Sequence, residues 1–413
     1  MRIALQSAAF GASVMALVVF GACSSGDGNG VATDLDASSG TDGGVGTTDG
    51  PASGEGGDSA GSAGCDALGK ACVDVGGSVR LSVVFDDTSH PVVAYAASDG
   101  LRVRRWTDTK WQPLGPPIAN RLLANGFQLH ALGAKLFLVS LSADAMARNI
   151  HIQEYSGTDW QDVAGSPFTV SVGSSGPEPL KFSSSSRAGK IHIICAADGG
   201  IDPFHVKSFD GTTLRDETVA DGAPGSRATA PRIDIASDGA LATVYGDANL
   251  YFSKNVAGST DWIGGTAALP ATSNEAVAYS LTTAGAVVST VVSQGTSLVA
   301  SLGNGTTWTA LGANNGAVDT AMGIGNPASV QNDADHVIVV YPVSPSTSNI
   351  LVRAKMWSGA AWTAVGDSPT TLAPTFAPAT VAAALKVKIL GTVVSRRQDA
   401  TSPYIGYDEL QLP

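Results

Sequence analysis

The chain has 413 residues, enough for one large domain or two ordinary ones. Apolar residues make up 44% and charged residues only 15%, with 49 glycines, a mix that suits many short strands and turns better than long charged helices. The formal net charge is -12 and no basic cluster exceeds the "RVRR" of 102–105. Nucleic acid is therefore excluded as a partner, because that affinity rests on neutralising phosphates with a basic face.

The first 22 residues read as an export signal. "MRIALQSAAFGASVMALVVFGAC" carries one basic residue, Arg2, then an apolar run, then small residues before Cys23. A membrane anchor would end in a basic flank, and here the following segment is acidic. No other stretch approaches the ~18 apolar residues that a span needs. The end "VFGAC" resembles the lipobox of bacterial lipoproteins, with Phe20, Gly21 and Ala22 before the cysteine. That resemblance implies that Cys23 is the lipidated first residue of the mature protein, held in the cell envelope by its lipid alone. Ser24 stands where enteric lipoproteins retained at the inner membrane carry Asp, so the implied address in a Gram-negative host is the outer membrane or the cell surface.

Residues 23–64 form the lipidated cysteine and a tether. Positions 24–64 hold 13 Gly, 7 Ser, six Asp and Glu55, with no Lys, Arg or aromatic residue. Such a segment cannot bury enough surface to offset its ordering entropy. It reaches about 35 Å on average and sets the folded part away from the membrane. Past the tether, Cys65 and Cys72 are expected to form a local disulfide in an oxidising compartment. Cys195, in the apolar run "KIHIICAADG", reads as a buried free thiol rather than a nucleophile.

From residue 65 onward one phrase recurs: a strand, a polar turn, and a second strand opened by tryptophan. It appears as "LRVRRWTDTKWQPLG" at 101–115 and "NILVRAKMWSGAAWTAVG" at 349–366. Its anchors are Trp111, Trp160, Leu214, Trp262, Trp308 and Trp362, at intervals of 49, 54, 48, 46 and 54 residues. Upstream of each lies another hairpin whose second strand is short, apolar and rich in Val and Ile, such as "PVVAY" (91–95). Four strands per unit of this length is the pattern of a β-propeller blade. The tryptophans are then expected to pack between blades rather than to stack on a ligand. The last unit, 378–413, supplies three strands, and "KACVDVGG" (70–77) is expected to complete it, with Cys72 in the tryptophan slot. The alanine-rich run 381–385 falls where a strand is due. The fold class is all-β: a seven-bladed propeller over residues 65–413, closed by an N-terminal strand, which removes exposed sheet edges.

With "PVVAY", "LRVRRW" and "WQPLG" the chain resembles bacterial secreted and lipoprotein β-propellers that carry VAY…W…W-x-x-apolar-Gly repeats. The resemblance covers about 340 residues and implies the fold. It leaves the function open, since propellers host binding proteins, lectins, lyases and hydrolases. No sialidase-type Asp box is present, and Kelch and WD signatures lack regularity. "GDSAG" (57–61) has the spacing of a hydrolase elbow but sits in the tether. The six histidines show no zinc spacing. "DGNG" (27–30) lacks the remaining ligands of a calcium loop, so no cofactor is expected and calcium has no support.

Function is expected where the loops between second and third strands gather on the channel face. Those loops bring Asp144 and Arg148 from blade 2, and Asp198, Asp202 and His205 from blade 3. Blade 4 adds Asp247 and Asn249, and blade 7 adds Arg396, Arg397 and Asp399. Polar groups converging on one cleft can grip a sugar or an acidic group. The leading expectation is a monomeric, non-enzymatic envelope lipoprotein whose propeller binds a glycan or a protein partner. An assembly scaffold, which would expose an apolar patch, is one alternative. The other is a carbohydrate-active enzyme drawing two carboxylates from Asp198, Asp202, Asp247 and Asp399.

Overall fold

The computed structural model describes residues from Cys65 to Pro413, with breaks at 143–148, 170–180, 197–204, 218–230, 246–250, 256–261, 269–277, 373–380 and 398–402 and at a few shorter stretches. Residues 1–64, which carry the segments expected to be an export signal and a tether, and Cys23 with them, lie outside the described residues. The described strands belong to one compact unit, Gly57–Pro413.

After β1 (Cys72–Val75) the chain builds seven antiparallel blades in sequence order. Blade 1 is β2 (Leu81–Phe85), β3 (Pro91–Ala97), β4 (Gly100–Trp106) and β5 (Trp111–Pro113). Blade 2 is β6 (Phe127–Leu132), β7 (Lys135–Leu141), β8 (Asn149–Tyr155) and β9 (Trp160–Asp162), with β10 (Phe168–Thr169) returning beside β8. Blade 3 is β11 (Lys181–Arg187), β12 (Lys190–Ala196), β13 (His205–Phe209) and β14 (Leu214–Asp216). Blade 4 is β15 (Arg232–Ile235), β16 (Leu241–Tyr245), β17 (Tyr251–Asn255) and β18 (Trp262–Ala268). Blade 5 is β19 (Ala278–Ala284), β20 (Val287–Ser293), β21 (Ser297–Gly303) and β22 (Trp308–Ala310), with β23 (Ala317–Thr320) returning beside β21. Blade 6 is β24 (Ala328–Gln331), β25 (Val337–Ser346), β26 (Asn349–Trp357) and β27 (Trp362–Asp367), with β28 (Thr371–Leu372) returning beside β26. Blade 7 is β29 (Val381–Lys386), β30 (Ile389–Arg397) and β31 (Pro403–Gln411), completed by β1.

The first strands meet in a closed ring. β2 touches β6, then β11, β15, β19, β24 and β29 follow in turn, and β29 touches β2 again. The second strands are covered on both faces, as Val92, Val93 and Ala94 of β3 and Val339 and Val340 of β25 show. That is why they read as unbroken β-branched runs. The third strands alternate instead. Leu101 and Val103 of β4 join the apolar slab against blade 2, while Arg102 and Arg104 point to the other side, toward blade 7. The core is thus a set of slabs between neighbouring blades rather than one central mass.

The tryptophan phrase is a latch between blades. Trp160 Nε1 donates to the carbonyl of Leu114 at 2.7 Å, and Trp362 Nε1 to that of Leu311 at 2.8 Å. In each case the acceptor sits three residues past the preceding blade's own tryptophan. The glycine that follows is required twice over. Gly312 has φ +116, and a Cβ there would stand 3.2 Å from the rings of Trp357 and Trp362. The rings pack as the sequence implies, with Trp111 and Trp160 buried.

The closing strand lands in a different register from the one the sequence suggests. β1 pairs with the start of β31, Cys72 opposite Gly406 and Asp74 opposite Ile405, not with its end, where a tryptophan slot lies. The carbonyl of Lys70, at 3.1 Å from Trp111 Nε1, plays the part that Leu114 plays for Trp160. Cys72 is instead buried against Tyr404 and bonded to Cys65, as expected for a local disulfide. The four-residue strand is thus held by the Cys65–Cys72 bond on one side and by the Trp111 indole on the other, which fixes its register at the start of β31.

The first strands are also joined by buried polar groups. Ser82 accepts from Leu129 N at 2.9 Å, Gln128 accepts from Ser184 Oγ at 2.8 Å, and His130 Nε2 meets the same hydroxyl at 2.8 Å. Asp234 accepts from Ser185 Oγ at 2.7 Å and from Thr283 N at 2.8 Å. Blades 1 to 5 are linked in this way.

Candidate functional site

Of the ten loop residues singled out from the sequence, Asp144, Arg148, Asp198, Asp202, Asp247, Asn249 and Asp399 lie outside the described residues. His205 opens β13 and Arg397 ends β30, with only their backbones described. Arg396 is buried in an ion pair with Asp408, Nη1 to Oδ1 at 3.2 Å, and its Nη2 donates to Ser368 Oγ. Its charge is committed inside blade 7. Cys195 is fully buried, and burial pushes its thiol well above the ordinary range, as suits a structural thiol.

The described polar groups that do converge lie in the notch between blades 7 and 1, and one of them, Asp99, comes from the blade 1 loop between second and third strands. Asp74 sits at a β-bulge of β1, where its Oδ1 accepts from the next backbone N–H, that of Val75, at 2.9 Å. The bulge turns the carboxylate toward blade 1. There the Tyr95 hydroxyl donates to Asp74 Oδ2, Arg102 Nη1 reaches the same oxygen at 3.3 Å, and Arg104 Nη2 reaches Oδ1 at 3.3 Å. Arg104 Nε also donates to the Tyr95 oxygen at 3.0 Å. Asp99, in the turn between β3 and β4, closes the outer side. It takes Arg102 Nε at 3.0 Å and Nη2 at 2.6 Å, the two-pronged carboxylate geometry.

The site is charge-balanced: two arginines between two carboxylates. The hydrogen bond from Arg102 is the chief reason Asp99 stays ionised below the usual carboxylate range. Burial, reinforced by Asp74 despite Arg104, pushes the Tyr95 phenol above its ordinary value, so it remains a proton donor. Beside the arginines opens a cleft of about 100 Å³, walled by Pro113, Gly115, Pro116 and Pro117. An apolar wall beside two fixed guanidinium groups, each held by a carboxylate behind it, suits a polyol with one apolar face. No group of three or more His, Cys, Asp or Glu side chains able to hold a metal occurs among the described residues.

In the sequence Tyr95 and the 102–105 run stand out only as repeat and charge features. The usable signal was the alternation "LRVRRW", which puts Arg102 and Arg104 on one face of a strand whose other face is apolar. Their partner Asp74 arrives from the other end of the ring, and nothing local announces it.

No family model and no curated protein matches the sequence. Among solved structures, an ulvan lyase, a polysaccharide lyase bound to -[GlcA(1-4)Rha3S]-, superposes with a TM-score of 0.53 at 9% identity, over 83% of this chain and 95% of that one. The fungal lectin of Aleuria aurantia, a six-bladed β-propeller, gives 0.45 at 15% identity, over 72% and 97%. A protein of unknown function from Dyadobacter fermentans gives 0.45 at 10% identity, over 84% and 95%. At such identities the likeness is one of fold alone.

Proposed function

We propose that this protein is a tethered envelope lipoprotein whose propeller binds a glycan without chemistry, through the notch between blades 7 and 1. The single observation that carries the reading is the Asp74–Arg102–Asp99 array, fixed by Tyr95 and Arg104, whose two arginines line the proline-walled cleft. Side chains already locked by their partners lose little entropy when a sugar hydroxyl joins them. A fold of this kind holds a saccharide in the ulvan lyase. Binding is favoured over lyase or hydrolase chemistry because the buried phenol is kept protonated and Asp99 is kept ionised by a bidentate arginine. Neither is tuned to exchange a proton near neutral pH. The envelope address rests on the lipobox-like end at Cys23 and the acidic tether.

The test is a glycan array probed with the protein and with Arg102→Ala. Binding that drops at least tenfold in the variant supports the notch. Binding untouched by Arg102→Ala but lost on Asp198→Ala with Asp202→Ala moves the site to the channel-face loops. An array with no binder at all overturns the glycan reading.

A further inference from the structure

We infer that the protein is bivalent, with a second and equivalent binding notch between blades 5 and 6, and that both notches take neutral pyranosides rather than acidic sugars. This rests on the glycan reading and extends it. The second notch repeats the charged array of the first, with Lys355 in place of Arg104 and its ammonium also donating to the Val318 carbonyl at 2.7 Å. Asp319 sits at a bulge of β23, where its Oδ1 accepts from Thr320 N at 2.9 Å, as Asp74 does from Val75. The Tyr341 hydroxyl donates to Asp319 Oδ2 at 2.5 Å, as Tyr95 does to Asp74. Arg353 Nη1 meets the same oxygen at 3.0 Å, and Lys355 Nζ meets Oδ1 at 3.4 Å. Arg353 and Lys355 stand two apart on β26, as Arg102 and Arg104 do on β4.

The outer carboxylate shows that geometry, and not repeat ancestry alone, is being kept. Arg353 Nε and Nη2 each donate to Asp367 at 3.0 Å, the bidentate contact Arg102 makes with Asp99. Yet Asp367 lies on β27, past the tryptophan, whereas Asp99 lies in the turn before β4. Two unrelated positions deliver the same group to the same place. The exposures agree as well: 30% and 28% for the arginines, 43% and 42% for the outer carboxylates, 7% and 13% for the inner ones.

Tying the blades together does not require this array. The position that carries Asp74 and Asp319 is Ile118 in blade 1 and Phe168 in blade 2, by pairing with Leu101 and Ile150. In the notch between blades 2 and 3, Lys207 lies 5.1 Å over the Phe168 ring, an apolar solution to the same joint. The carboxylate version occurs where the third strand carries a pair of cations two apart and the second strand a tyrosine.

Charge selects the ligand class. Each notch sets two cations against two carboxylates, so an acidic sugar meets a neutral field and two repelling oxygens, and gains nothing from the arginine. A neutral vicinal diol can donate to the outer carboxylate and accept from the arginine edge at once.

Native mass spectrometry of the full-length protein counts the sites. The probes are methyl α-D-mannopyranoside, methyl β-D-galactopyranoside and methyl α-D-glucopyranoside, with D-glucuronate as the acidic control. The expected result is two equivalents of at least one neutral glycoside. Asp99→Ala and Asp367→Ala, both at exposed carboxylates, each reduce it to one, and the double variant to none, with unchanged thermal unfolding. D-glucuronate binds at least tenfold more weakly. A single equivalent in the unaltered protein, or two that survive Asp367→Ala, overturns the second notch while leaving the first intact. Preference for D-glucuronate, or no neutral glycoside bound by a protein that binds the array, overturns the ligand class. A silent array overturns the glycan reading itself, so the failures are distinct.

Discussion

Replacing Trp160 with Phe tests whether the tryptophan phrase is a hydrogen-bonded latch or only a bulky filler. The change keeps an aromatic ring beside Tyr155, whose centroid is 5.4 Å from that of Trp160, and deletes the indole N–H. Its acceptor, the carbonyl of Leu114, belongs to a buried residue, so water cannot replace the lost donor. An unsatisfied buried acceptor costs about 1–3 kcal/mol. The void left by the smaller ring adds about 1 kcal/mol, for a total of about 2–4 kcal/mol. Equilibrium urea unfolding followed by fluorescence reads this as a lower midpoint at unchanged slope. Trp160→Leu, which copies the natural Leu214 of blade 3, is expected to cost more than Trp160→Phe, because it loses the indole donor together with the ring that packs beside Tyr155. A Trp160→Phe protein within about 0.5 kcal/mol of the unaltered one, the usual spread for neutral changes, would refute the latch and reduce the phrase to hydrophobic filling.

Four further outcomes follow from the same reasoning. Gly312→Ala forces a residue with a Cβ into an extended, positive-φ backbone that is essentially reserved for glycine and pushes that carbon against two tryptophans, so a loss of roughly 1–3 kcal/mol is expected in the same assay. Arg396→Ala strands the carboxylate of Asp408, and removing one partner of a buried pair costs about 3–5 kcal/mol, enough to lower the unfolding temperature visibly. Reducing the Cys65–Cys72 bond frees a loop whose ends are 7 residues apart, worth roughly 2 kcal/mol by chain entropy, and loosens β1 first, which hydrogen exchange at Val73 and Val75 will register. The fourth concerns pH. Burial lowers His130 to about 3 and His192 to about 4, below the ordinary 6.5, so the unfolded chain binds protons that the folded chain refuses. Their contribution is therefore full above pH 6.5 and is lost as pH falls toward 4 and then 3. His130→Gln is expected to flatten the decline by about 2 kcal/mol between pH 7 and pH 5; an unchanged slope would show that His130 is protonated in the fold.

Blade count, strand order and the place of the tryptophans were open to sequence reading because each is a local pattern repeated. Alternation marks a strand, a polar turn marks a hairpin, and the spacing from Trp111 to Trp362 counts the units. The alanine-rich run at 381–385 forms β29 because the ring needs a first strand there, as the count implied. Even the closing strand could be inferred, since a three-stranded last unit leaves an edge that another segment must cover. Its register could not. The sequence of 70–77 resembles a tryptophan strand, yet the disulfide to Cys65 and the indole of Trp111 place Lys70 where Leu114 would stand.

The site was less open. Propeller topology points to the loops between second and third strands, yet Arg396, at a strand end, is spent on Asp408. Arg102 and Arg104 were visible as neighbours on one strand face, but Asp74 reaches them only when the ring closes, and Asp319 reaches Arg353 only across a blade boundary. Side-chain alternation is written in the spacing of a single strand. Which carboxylate meets which guanidinium depends on how two blades pack, on a bulge that turns one side chain, and on contacts between chain segments that no local spacing encodes.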